Sequence, residues 1–428
     1  MAGAETISAS DDQLNELVIS IQSRFEGLCL PSNCCIFTVP EKLRRTNEEA
    51  YTPVVVAIGP YHRLNQSLMP MEDHKLLYLQ NLLQHNQNYY LKDYIQRVMS
   101  WEDEARNCYD RQIVLDSYQF AKMMLLDGIF TIQLFLMSSD HQRRLPNDPI
   151  FSNPQILKAV RWDMALLENQ IPLFIVQRLF KMAFKTHQQH MPELLQLMCQ
   201  FFGKVMRMEK LPAWVMESEV KHFVHAIRLS FLPSVMEAPN DRDEGHKEMK
   251  FPPSATELVA AGVKLRRRES ECLLDIKFEN GVLDIPYLVL NDSTEQYFRN
   301  IMAFEQCYCI NGYLTDYIDF MHHLVDAPGD VELMIDKGII EYWLDNKEAV
   351  ARLINGLGRE NILSSSNYYF YNLSHELIKH CQRPCNKWKA TFKRDYCSSP
   401  WVVISVIAAG VLLLLTIAQT VFSALALA

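Results

Sequence analysis

Apolar positions along this chain recur mostly every three to four residues, and only briefly every two. After nine residues without a pattern, Leu14, Leu17, Val18, Ile21 and Phe25 mark one face of a helix, opened by Ser10 and Gln13 at capping-box spacing. Helical spacing returns from Met71 to about Gln84 through Leu76, Leu79 and Leu83, and continues over 88–107. The run MMLLDGIFTIQLFLM (123–137), with Asp127 and Gly128 inside it, predicts a buried helix. RWDMALLENQIPLFIVQRLF (161–180) is also helical in spacing, and Pro172 in its interior demands a kink or two abutting helices. Further helices are predicted near 192–207 and 216–230. Two short runs, Cys35 to Pro40 and Pro53 to Ile58, are β-branched or aromatic and bounded by breakers, so they read as strands.

Period-two alternation is clearest at Leu274, Ile276 and Phe278, which interleave with Asp275, Lys277 and Glu279 ahead of Asn280 and Gly281. Asn-Gly suits a type I′ turn, which needs positive φ at both central positions. That turn sets Phe278 opposite Leu283, Ile276 opposite Ile285, and Lys277 opposite Asp284 as a cross-strand ion pair. Pro286 stops the pairing or marks a sheet edge. Beyond it, Ser293 with Gln296 caps a helix through Cys309, Asp330 and Gly338 bracket another, and Asn346 and Gly356 a third. A last helical stretch from about Asn367 breaks near Pro384. The expected fold is mainly α with a small antiparallel β-sheet (α+β), plus one C-terminal transmembrane helix. Its parts are an N-terminal tail and amphipathic helix (1–28), a mainly helical soluble domain (29–396) with a polar loop at 236–253, and the membrane helix (401–427).

The expectation of a membrane rests on SSPWVVISVIAAGVLLLLTIAQTVFSALALA at the end, where Trp401 to Ala428 holds no Asp, Glu, Lys or Arg. Roughly 20 helical residues cross a hydrocarbon core. On its N-terminal side lie Arg383, Lys387, Lys389, Lys393 and Arg394, against Asp395 alone. That excess favours a cytoplasmic flank, with Trp401 at the interface, and describes a tail anchor under a cytosolic body at the plasma membrane or endoplasmic reticulum. Reversed topology would give meaning to the sequons at Asn65, Asn291 and Asn372. Ser405 and Ala409 form a small-xxx-small pair suited to helix pairing.

The 428 residues carry a net charge of −9 with no compensating basic stripe, which excludes a nucleic-acid partner. Fourteen glycines argue against glycine-rich phosphate loops, and no Walker A, G-x-G-x-x-G, G-x-S-x-G or HEXXH motif occurs; Gly356 and Gly358 merely sit near a helix end. Eleven cysteines without a C-x-x-C pair read as free thiols in a reducing compartment, the alternative being a disulfide from Cys34 or Cys35 to a distant partner. No secretory signal or transit peptide precedes the first helix.

Candidate chemistry is thin. His222 and His225 share a helix face at metal-ligand spacing without a third ligand, and His322 and His323 point apart on a helix. Asp127, Asp163, Glu168 and Asp275 lie in or beside apolar runs, where burial raises a carboxyl pKa, and they suit general acid–base work or pairing with Arg161, Arg178 or Lys277. Arg266, Arg267 and Arg268 suit anionic lipid or a solvated strand edge beside Glu269 and Glu271. No catalytic, cofactor-binding or metal residue is assigned, and no cofactor is expected.

Several stretches resemble the plant family known as domain of unknown function 247, or uncharacterised protein family 0481. They are IFTVPEKLRRTNEEAYTPVVVAIGPYH (36–62), MEDHKLLYL (71–79), MLLDGIF (124–130), DMALLENQIPLFIV (163–176), RLSFLP (228–233), SATELVAAGVKLR (254–266), LLDIKFENGVLDIPYLVLNDSTEQYFRNIMAFEQC (273–307) and the apolar C-terminus. The resemblance implies a land-plant protein with one terminal transmembrane helix and no established activity; some members of that family are associated with pollen-side recognition in grass self-incompatibility. DHK (73–75) stands where the family has E-H-K, and HFVH (222–225) puts His225 where an acid is commoner. The functional expectation is a membrane-tethered module that binds a protein partner in recognition or signalling, with any small-molecule ligand unknown. The alternatives are a hydrolase using buried carboxylates and a surface-exposed recognition protein of opposite topology.

Overall fold

The apolar run at 123–137 lies inside the helix Ser117–Ser139, and the rest of the N-terminal half is arranged around it. A computed structural model describes residues 11–25, 33–85, 89–184, 193–206, 214–215, 218–233, 250–270, 272–309, 311–359, 368–384 and 400–426. Asp116 caps the central helix by accepting from the Gln119 N–H at 2.8 Å. A helix apolar on every side must be covered on every side. Pro70–His85, Leu91–Met99, Leu173–Phe184 and Leu194–Met206 supply the cover. It is long and apolar enough to cross a membrane, yet nearly all of it is buried in protein, which makes it a core helix. Gly128 lets the covering helix come close, since a Cβ there would stand 2.5 Å from Leu179 Cδ1.

Three expectations for this half are refined or changed. The helical region at 88–107 divides into Leu91–Met99 and Glu102–Arg106, with Ser100 and Trp101 between them. The stretch at 161–180 is two helices, Pro154–Asp163 and Leu173–Phe184, separated by an irregular link over 164–172 that ends at Pro172. The runs 35–40 and 53–58 are not strands. They make one isolated parallel bridge among the described residues, Ile36 to Tyr109, and several of their other backbone groups bond to side chains (below).

Helices Thr294–Tyr308, Tyr313–Leu324, Pro328–Asp336 and Lys347–Gly358 form the second half. Gly358 allows the last of them to meet Tyr313–Leu324, where an added Cβ would come 2.6 Å from His322 Cγ. Ser293 does not cap Thr294–Tyr308; Asn291 accepts from the Ser293 N–H at 3.0 Å, and the Thr294 hydroxyl accepts from the Asn291 N–H at 2.9 Å. Both Asp330 and Asn346 act at helix starts as the sequence implies, Asp330 by accepting from the Ala327 N–H.

The sheet is mixed, not purely antiparallel. Strands β1 (Lys264–Arg268), β2 (Lys277–Glu279) and β3 (Val282–Pro286) lie in the order β1-β3-β2, with β1 parallel to β3. β4 (Leu288–Leu290) pairs in parallel with β5 (Ile340–Tyr342). The hairpin has the expected register, Phe278 against Leu283 and Lys277 against Asp284, and Asn280 and Gly281 take φ of 50° and 78°. Pro286 ends β3, but β3 is central, because Arg266 and its neighbours form the edge strand beyond it. Asp284 consequently pairs with Arg266 at 2.5 and 2.6 Å, while Lys277 lies 3.6 Å from Asp275.

Asp11–Phe25 is helical with Leu14, Leu17, Val18 and Ile21 exposed. The helix Tyr371–Gln382 precedes the final helix Pro400–Ala426, which has 27 residues. Among the described side chains of that last helix the continuous apolar stretch is Ile407–Phe422. Residues 1–10, most of the polar loop at 236–253, Asn367, and the flanking Lys387, Lys389, Lys393, Arg394 and Asp395 lie outside the described residues.

Candidate functional site

A buried polar cluster surrounds the segment 53–62, which bends at 54–55 and 59–60 and pairs with no strand among the described residues. Its amides need acceptors, and the link between Pro154–Asp163 and Leu173–Phe184 provides them. Asp163 accepts from three consecutive backbone N–H groups, Val54 at 3.0 Å, Val55 at 2.6 Å and Val56 at 2.8 Å. Asn169 accepts from the Ile58 N–H at 2.7 Å and donates to Val56 O at 2.9 Å, as a strand edge would. Asp127, from the central helix, takes the Gly59 N–H at 2.8 Å. Gly59 has a φ of +78°, and a Cβ there would collide with the Gln170 carbonyl oxygen. This close approach requires glycine.

One fully buried cation joins the pieces. Lys75 Nζ donates to Ala57 O at 2.5 Å, Glu72 Oε1 at 2.5 Å and Asp127 Oδ1 at 2.6 Å, so all three ammonium protons are placed. Arg63 adds a bond to Glu72 at 2.9 Å. At the other end Glu168 accepts from the Val39 N–H at 2.6 Å and pairs with Arg44, and His62 Nε2 stands 3.2 Å away without a hydrogen bond. Asp110 closes that side by accepting from the Thr38 N–H at 2.9 Å and from the Tyr61 hydroxyl at 2.5 Å.

Electrostatics divide the three carboxylates. Burial pushes Asp163 up to about 6 against the three amides that favour its charge. Burial also raises Asp127, opposed by Lys75 and Arg63. For Glu168, burial is outweighed by His62, Arg44 and the Val39 amide, and its carboxyl is held below its ordinary value.

Of the four carboxylates singled out in the sequence, Asp127, Asp163 and Glu168 converge on this one segment. Asp275 lies apart at the small sheet, paired with Arg268 at 2.7 Å. The converging three are engaged with backbone amides or cations, which describes a structural connector. Of the expected partners, Lys277 does lie 3.6 Å from Asp275, whereas the two arginines turn elsewhere. Arg178 binds Glu104 at 2.6 and 2.8 Å, and Arg161 lies over the Phe201 ring. Of the basic run, Arg266 and Arg268 face carboxylates, and Arg267 pairs with Glu269 and covers the Tyr287 ring.

The four histidines singled out in the sequence make packing and hydrogen-bond contacts. His222 caps Phe223–Ser230, with Nδ1 accepting from the His225 N–H and Nε2 bonded to Cys35 O at 2.9 Å. Burial, reinforced by His225, pushes His222 down to about 3; burial with Arg228 pushes His225 down to about 4. His322 meets Asn355 at 2.7 Å, and His323 stacks on Phe251. Among the described residues no group of three or more His, Cys, Asp or Glu is placed to hold a metal ion.

A second buried network ties Arg228 to Glu305 at 2.8 Å, and Glu305 caps the next helix through the Thr315 N–H at 2.9 Å. Sequence reasoning did not single out Lys75, Asn169 or Glu305. Lys75 did carry a signal, since it shares a helical face with Tyr78, Leu79 and Leu82, all buried. A lysine on that face needs a buried counter-charge.

The model of the DUF247 family, described as a plant protein of unknown function, matches residues 36–415. UPF0481 protein At3g47200 of Arabidopsis thaliana is 30% identical over 416 residues, which cover 91% of this chain and 86% of that protein. Putative UPF0481 protein At3g02645 of the same plant is 22% identical over 484 residues, covering 91% and 89%. No solved structure matches.

Proposed function

This chain belongs to DUF247, a plant family of unknown function, and we propose that it is a membrane-tethered module whose globular body binds another protein. The observation that carries this reading is the state of the last helix. Ile407, Leu412, Leu413, Leu414, Leu415, Ile417 and Phe422 are each more than half exposed along it. Apolar surface in water costs about 25 cal/mol per Å², whereas hydrocarbon is a natural solvent for a helix apolar all round. The basic residues before it, Arg383 to Arg394, favour a cytosolic body at the plasma membrane or endoplasmic reticulum. A binding role rather than catalysis is supported by the buried carboxylates, whose charges and lone pairs are engaged in holding backbone.

A second reading is a body on the opposite face, acting in recognition at the surface. The exposure of the sequon residues Asn65 and Asn372 supports it.

Alkaline extraction and protease protection on sealed plant membranes test both. The full chain should stay with the membrane pellet, a version ending at residue 399 should be released, and protease added outside should digest the body. If both versions are released, the tether is wrong. A protected body with glycosidase-sensitive mass favours the second reading. Proximity labelling that recovers no partner, with only free monomer on native gels, would count against a binding role.

A further inference from the structure

We propose that Cys35 and Cys108 are a disulfide site, a cross-link that ties the segment 33–39 to the turn after Glu102–Arg106. The two cysteines are distant in sequence and adjacent in space. Ile36 bridges Tyr109 in parallel, so Cys35 and Cys108 are the preceding pair of positions in the same register. The N–H groups of Cys35 and Ile36 both donate to Cys108 O, at 2.9 and 2.8 Å, and the Asp110 N–H donates to Ile36 O at 3.0 Å. Hydrogen bonds from both Cys35 and Ile36 to Cys108 hold the two backbones together, and a disulfide spans roughly 4.4–6.8 Å between Cα atoms. Both side chains are buried, Cys35 at 1% and Cys108 at 7% exposure. Cys108 Sγ donates to Glu104 O at 3.4 Å.

Five cysteines gather in this region, and their surroundings rank them. The neighbouring Cys35, with Lys221, pulls the Cys108 thiol below its ordinary value against the effect of burial. The neighbouring Cys108, with burial, drives Cys35 far up. Burial pushes Cys34, Cys307 and Cys309 up to about 11, which leaves them poor nucleophiles. Cys108, 7% exposed against 1% for Cys35, is the more accessible of the two and is the attacking group, with Cys35 resolving.

The chemistry needs a low-molecular-weight disulfide as oxidant, and glutathione disulfide serves. The Cys108 thiolate attacks one of its sulfurs, breaks that S–S bond and releases one glutathione thiolate, which takes up a proton. Cys35 then gives up its proton and attacks Cys108 Sγ, forming the protein disulfide and expelling the second glutathione as thiol. Two protein thiols are oxidised, and one disulfide is reduced to two thiols. The cross-link anchors the segment whose next residues, Thr38 and Val39, bind Asp110 and Glu168. A body in a reducing cytosol would keep the pair as thiols, and one outside it would hold the disulfide.

The test uses the full chain in detergent micelles, equilibrated with glutathione disulfide and glutathione at increasing ratio. The reaction is quenched with acid, free thiols are blocked with N-ethylmaleimide after denaturation, and the digest is mapped without reductant. We expect one linked pair of peptides containing Cys35 and Cys108, at two hydrogens less than their summed mass. Dithiothreitol should abolish it, as should Cys35→Ser and Cys108→Ser separately. The wild-type map decides alone should either variant fail to fold. Three results would overturn the proposal: Cys35 joined to Cys34 or Cys307, a persistent glutathione adduct on Cys108, or both residues carrying N-ethylmaleimide at the most oxidising ratio.

Discussion

Replacing Lys75 with methionine removes the cation at the centre of the buried cluster while keeping most of its volume. In the native protein neither Lys75 nor Asp127 is accessible to solvent, and their atoms meet at 2.6 Å. Removing one partner of such a pair strands the other charge, at a cost of roughly 3–5 kcal/mol. The Ala57 carbonyl loses its donor in the same step, a loss worth roughly 1–3 kcal/mol where no water replaces it. These contributions overlap, so the expected cost of Lys75→Met is about 4 kcal/mol, a large share of the roughly 5–15 kcal/mol that holds a domain together. Urea unfolding of the detergent-solubilised chain, followed by fluorescence of its six tryptophans, measures it.

The pH dependence tests the cause. Burial already raises Asp127, and Lys75 opposes that rise. Without the lysine the folded carboxyl climbs further above its unfolded value of about 3.9. A raised folded value contributes stability below the unfolded one and loses it as pH rises through the folded one. The gap between wild type and Lys75→Met should therefore widen from pH 5 to pH 8. Adding Asp127→Leu removes the stranded charge and should recover part of the loss, so that the double variant costs less than the two singles summed. A single-variant cost below about 1 kcal/mol, or a gap indifferent to pH, would refute the reasoning.

Gly59→Ala should destabilise by about 1–3 kcal/mol, because the positive φ disfavours a side chain and the Gln170 carbonyl blocks it; an unchanged melting temperature would mean that the 164–172 link gives way freely. His222 is pushed down to about 3 and His225 to about 4, so both contribute stability above their unfolded value of about 6.5 and lose it as pH falls toward 4. His222→Asn keeps the helix cap and removes one titrating ring, so urea midpoints should show wild type losing ground to the variant between pH 7 and pH 4.5. Taking that difference cancels the opposite trend of Asp163, pushed up to about 6, and Asp316, pushed up to about 7. In the small sheet, Lys277→Ala should leave amide exchange of the hairpin unchanged, whereas Asp284→Ala should speed it by releasing Arg266; equal effects would restore the cross-strand pair expected from the hairpin alone.

Much of the fold was legible where the deciding contacts are local. The Asn280–Gly281 turn fixes the pairing of Phe278 with Leu283 because hairpin register follows from its loop, and the helices at 70–85 and 117–139 follow from periodicity within a few turns. The family words and the uncharged tail were equally plain in the sequence. The run PVVVAI was misread because a β-branched, breaker-bounded segment is strand-like in either case. What distinguishes a strand from a side-chain-bound loop is its partner, and here the Val54 and Val56 amides find Asp163, 109 and 107 positions away. The same holds for charge. Composition placed Asp127, Asp163 and Glu168 beside apolar residues, but only the packed chain brought Lys75, Arg44 and a row of amides to them. Periodicity acts over one or two turns of chain, whereas a buried charge is neutralised by whichever groups the fold brings within about 3 Å, and that choice belongs to tertiary structure.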